Sequence, residues 1–88
     1  MEIRWSTSAK EKFDKVINNL PQFHRTIAQQ LVKNTAEELA RSAGRKEVLD
    51  EDCIKAFFKE VPPAFLEMMK KLMGKLGIDY KPYIKDAG

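Results

Sequence analysis

Four interruptions govern what this sequence can become: Pro21, Gly44, the pair Pro62–Pro63, and Gly77. Proline removes a helical hydrogen bond and clashes with the preceding turn, and glycine readily takes the left-handed conformation that closes a helix. Between these points apolar residues recur three and four positions apart, the period of helices and not of strands. The chain is thereby divided into helices of unequal length. No run of consecutive apolar residues exceeds three, so neither a membrane span nor a signal-peptide core is expected.

The first helix is expected to begin at the serine-rich stretch Ser6-Thr7-Ser8, with Ser8 to Glu11 fitting a capping box. Ala9, Phe13, Val16, Ile17 and Leu20 make it one-sided. Asn18-Asn19 and Pro21 end it and open the second helix, expected from Pro21 to Ala43 with Gly44 as its stop. At 1.5 Å per residue that helix spans about 33 Å and is the central rod. Phe23, Ile27, Leu31 and Leu39 mark one apolar stripe. Ala28, Val32, Ala36, Ala40 and Ala43 form a flatter flank, small enough for another helix to approach closely. Lys46 to Leu49 is long enough only for an extended connector or a single β-bridge. Asp50 then caps a third helix running to Val61, with Glu51 and Asp52 favoured in its first turn by the helix dipole and Ile54, Phe57, Phe58 and Val61 on its buried face. A fourth helix, from Ala64 to Leu76, is rich in methionine. Residues 78–88, with Tyr80 and Tyr83, have no period and form a tail.

The predicted architecture is all-α: a small bundle with a long central helix, two shorter flanking helices and a C-terminal fourth helix. Residues 1–61 form a three-helix module, and residues 62–88 a Met-rich helix and tail that cover the module or a partner. With 88 residues the core is thin, since a domain this small buries only about 60–65% of the surface its unfolded chain exposes. A protein partner or a homodimer is the expected remedy.

The net charge of +3 and pI of about 9.1 permit nucleic-acid binding. The cations are spread evenly, however: residues 1–19 hold four basic and three acidic groups, and residues 44–61 hold four and five. A phosphate-binding face concentrates its cations, so nucleic acid is the less favoured partner. A single cysteine, Cys53, excludes an internal disulfide, and with one histidine, His24, the chain lacks the ligands of a structural zinc site. A reducing, cytoplasmic location is expected.

The residues that carry chemistry are few. Arg25, at the start of the long helix, is the candidate anion contact. Cys53, close to a helix N-terminus, is open to a lowered pKa, but without a neighbouring base it reads as a structural thiol. Phe65, Met68, Met69 and Met73 are the interaction candidates, because methionine adapts to irregular apolar partners. No phosphate loop, zinc signature or carboxylate pair is present. Hence no catalytic, metal or cofactor-binding residue is assigned, and the chain is not expected to be an enzyme.

Ile3-Arg4-Trp5-Ser6 with Ala9, then Leu20-Pro21, Phe23 and Arg25, then Asn34-Thr35, Ala40-Arg41 and Gly44, then Val48-Leu49 and Asp50-Glu51 together resemble the small C-terminal module (PCP_red) of the B subunit of light-independent protochlorophyllide reductase. The resemblance covers residues 2–60. It implies a stand-alone accessory module that docks to a redox or tetrapyrrole-related partner, since the parent enzyme's iron–sulfur ligands and substrate cavity belong to its larger body. It transfers no catalytic residue. Two other readings remain: a histone-fold-like dimeric nucleic-acid binder, from the short–long–short helix order, and a detached part of a multi-subunit oxidoreductase.

Overall fold

The computed structural model describes residues 3–84. In chain order it contains β1 (Arg4–Trp5), α1 (Thr7–Asn18), α2 (Gln22–Ser42), β2 (Glu47–Val48), α3 (Asp50–Glu60), a 3-10 turn (Pro63–Phe65) and α4 (Leu66–Lys75). The fold is mostly helical, as the periodicity predicts. Its only sheet among the described residues is the pairing of β1 with β2, parallel and in the register Arg4 to Glu47 and Trp5 to Val48. The connector expected to be extended is thus held by the segment preceding α1.

The helix ends are locally determined. The cap of α1 is Ser6, whose hydroxyl accepts from Ala9 N at 3.0 Å, and not the expected Ser8. The Ser8 hydroxyl instead donates to Asp50 Oδ2 at 2.9 Å, where Lys12 Nζ also reaches at 3.1 Å, so Ser8 ties α1 to α3. Asp50 lies inside α3, and the capping carboxylate belongs to Asp52, which accepts from Leu49 N at 2.9 Å. Gly44 and Gly77, with φ of 76° and 75°, close α2 and α4 as Schellman motifs: Arg45 N donates to Ala40 O and Ile78 N donates to Met73 O.

The core is built on the small-residue flank of α2, the side that leaves room for another helix to approach. Val32, Ala36 and Ala40 are its buried residues, whereas Phe23, Ile27 and Leu31 face out. The physical reason is distance. Small side chains let α3 lie close along α2, the most extensive helix contact in the fold, and the larger stripe one step around the helix is turned away. The remaining core is built from Ala9, Phe13, Val16 and Ile17 of α1, Cys53, Ile54, Ala56 and Phe57 of α3, and Met69 and Met73 of α4. Trp5 meets Phe13 edge-on at 5.0 Å, and Phe13 meets Phe57 at 5.8 Å. The beginning of the tail is docked: Ile78 is buried, and Tyr80 lies against Phe58 at 5.3 Å.

Candidate functional site

Pro21 and the Pro62–Pro63 pair set the position of a groove. The first starts α2 at an angle to α1, and the second turns the chain after α3 so that α4 passes beside the N-terminal half of α2 without closing on it. The space between them is about 390 Å³. Phe57, Val32 and Met69 line its deeper part, and Ile27, Leu31 and Met68 its open side. His24 and Glu60 are its polar members. Glu60 is engaged, its Oε2 accepting from Thr35 Oγ1 at 2.6 Å, and His24 lies against the Phe23 ring at 4.2 Å.

The mouth is unusually apolar for a surface. Ile27 is 62% exposed, Leu31 46%, Phe65 48% and Met68 57%, and Phe23, one turn before Ile27 and outside the lining, is 77% exposed. Isolated exposed apolar residues are ordinary, but a contiguous patch of large ones marks a surface meant for contact.

The four interaction candidates therefore divide. Phe65 and Met68 stand at the groove's edge, while Met69 and Met73 turn inward, with Met73 fully buried, and serve the core. The small-residue flank of α2 is covered by α3 and is no docking surface. Phe23, Ile27 and Leu31, read from the pattern only as an apolar stripe of α2, are the exposed residues that the sequence reading did not single out. The available signal was that α2 carries two adjacent apolar stripes while one covering helix suffices for one of them.

Arg25 is occupied within the fold. Its Nε donates to Leu20 O and its Nη2 to Asn18 O, both at 3.0 Å, so the guanidinium satisfies the carbonyls at the end of α1 in place of an external anion. Cys53 is fully buried. Burial, assisted by the negative charge of Asp50, pushes its thiol up to about 12, the reverse of the lowering that a helix N-terminus permits. It is a protonated, structural side chain at neutral pH. The buried carboxylate of Asp52 is paired with Arg45, which its hydrogen bond holds above the ordinary arginine value. Among the described residues no group of three or more His, Cys, Asp or Glu side chains is placed to hold a metal ion. None of the described helices is long and apolar enough to cross a membrane.

No curated protein and no solved structure matches the chain. One family does, and it corrects the resemblance drawn from the Trp-Ser, Pro-x-Phe-x-Arg and Ala-Arg motifs: nothing points to a protochlorophyllide reductase module or to chlorophyll synthesis. Those motifs coincide with features that any such helical domain needs, namely a capping serine, a proline at a helix start and a helix-closing glycine. The redox or tetrapyrrole-related partner loses the only support it had. Over residues 1–86 the match is to the family described as a protein of unknown function, DUF2621, and the chain belongs to that family.

Proposed function

We propose that this protein is a non-catalytic interaction module that binds another polypeptide through the α2–α4 groove. The observation that supports it is the set of large apolar side chains left in solvent there: Ile27, Leu31, Phe65 and Met68 on the groove itself, and Phe23 one helical turn before Ile27. Leaving such residues uncovered weakens solubility without helping the fold, whereas covering them on binding supplies a driving force of about 25 cal/mol per Å². The single cysteine, kept as a buried thiol, supports a reducing, cytoplasmic setting for that contact.

The test is a photo-crosslinking amino acid placed at Phe23, and separately at the exposed Glu11 on α1, in cells that express the protein naturally. A discrete protein adduct from position 23 and none from position 11 is the expected result. Absence of any adduct at position 23, or the same adducts from both positions, would overturn the proposal.

A further inference from the structure

We infer that the occupant of the α2–α4 groove is a second copy of this chain, with the two α2 helices crossing antiparallel about a two-fold axis beside Ile27. This rests on reading the groove as a docking surface and adds the identity of what docks.

The first argument is area. At roughly 200 Å² for a large side chain, the exposures of Phe23, Ile27, Leu31, Phe65 and Met68 leave at most about 600 Å² of surface on one copy. Pairing two such faces removes up to about 1,200 Å² in total, enough to reach the ~1,000 Å² that a specific interface is expected to clear. The polar rim adds to this.

The second argument is charge. A two-fold interface sets each residue against itself or its symmetric counterpart, so a like charge on the face is repeated across it. Residues 22–32 carry only one formally charged side chain, Arg25, and its guanidinium is turned back onto the carbonyls of Asn18 and Leu20. The following stretch of α2 is different, with Lys33, Glu37, Glu38 and Arg41. Arg25 is thus the one formal charge on α2 along the length where the apolar side chains are exposed, and further charges come only beyond it.

The third argument is self-complementary hydrogen bonding. Thr26 and Gln30 flank the stripe and are exposed. Hydroxyl and amide groups both donate and accept, so each is able to pair with its own kind across a two-fold axis, as a lysine or a glutamate is not. With the axis at Ile27, Phe23 of one copy falls opposite Leu31 of the other, four residues on either side of the centre, and reaches the open side of the groove.

Sedimentation equilibrium of the full chain, from low to high micromolar concentration, tests this. The expected mass is twice the 10.1 kDa of the chain, falling by half in Ile27→Asp while the far-ultraviolet circular dichroism is unchanged. A second variant, Ile27→Cys, is expected to form a disulfide-linked dimer under mild oxidation, whereas Glu11→Cys is not; the buried Cys53 stays out of the reaction. A wild-type chain that is monomeric throughout the range, or an Ile27→Asp chain that remains dimeric, would overturn the inference. A monomeric chain that still gives a heterologous adduct from position 23 leaves the docking surface standing and removes only the second copy. Loss of both removes the surface itself.

Discussion

The indole Nε1 of Trp5 donates to Glu37 Oε2 at 3.0 Å, joining residues 32 apart in sequence. Glu37 is only 13% exposed and lies within 3.9 Å of Lys33 and 3.7 Å of Arg41, so its charge is balanced on α2 while its oxygen holds the N-terminal strand. Replacing it with alanine leaves the indole N–H without that acceptor. Glu37→Ala is expected to cost about 1–2 kcal/mol in urea unfolding and to shift Trp5 emission to longer wavelength. Glu37→Gln, which keeps a carbonyl acceptor, is expected to retain most of both.

Cys53 makes stability fall in alkali. Its thiol has a folded value of about 12 against an ordinary 9.0, so above pH 9 the unfolded chain releases a proton that the folded chain keeps. The unfolded state gains, and the contribution to unfolding free energy declines by about 1.4 kcal/mol per pH unit between those two values. Denaturation of Cys53→Ala across the same range is expected to lack this slope. At pH 8 the thiol is expected to react with an aromatic disulfide reagent only at the rate at which the domain opens.

Two methionines on adjacent faces of α4 separate core from surface. Met73→Ala empties a fully buried site and is expected to cost about 2–5 kcal/mol. Met68→Ala, at a side chain that is 57% exposed, is expected to cost less than about 1 kcal/mol in dilute protein. Thermal unfolding at low micromolar concentration distinguishes them.

The close approach of α2 to α3 is expected to reject bulk. Ala36 is fully buried, and Ala36→Leu forces the helices apart or into strained rotamers at about 1–3 kcal/mol. Leu31→Ala, on the neighbouring stripe, is expected to lose less than about 1 kcal/mol. Equal losses at the two positions in chemical denaturation would contradict this orientation of α2.

Gly77 holds φ of 75° where α4 ends, with open space around its missing Cβ. Gly77→Ala therefore meets no clash, only the backbone cost of the left-handed conformation, about 1–2 kcal/mol. A loss in that range by thermal unfolding, with the fold retained, is the expected result.

What the residues disclose in advance is what is decided nearby. Gly44 and Gly77 act within one turn, so their role as stops is written into their immediate neighbours, and the same holds for Pro21. The inward face of α2 is a different matter. Phe23, Ile27 and Leu31 have the stronger hydrophobic claim on the core, yet Val32, Ala36 and Ala40 occupy it because α3 needs flat ground to lie against, a preference expressed only once a second helix is present. The Asp50 cap was displaced by a similar long-range demand, the hydroxyl of Ser8 and the ammonium of Lys12 arriving from α1. The site was legible in part for the same reason: a Met-rich helix announced an apolar surface, but which methionines remain on it depends on how α4 rolls against Phe57 and Val32.

The parallel pairing of Arg4–Trp5 with Glu47–Val48 has a consequence for the order of assembly. A chain leaves the ribosome N-terminus first, so β1 and the one-sided helix behind it emerge while their partners are still being made. Local contacts form ahead of distant ones, and α2 and α3, joined by a short connector, are positioned to meet as a hairpin before the strand ahead of α1 finds β2. That strand is expected to act as a latch and not a seed.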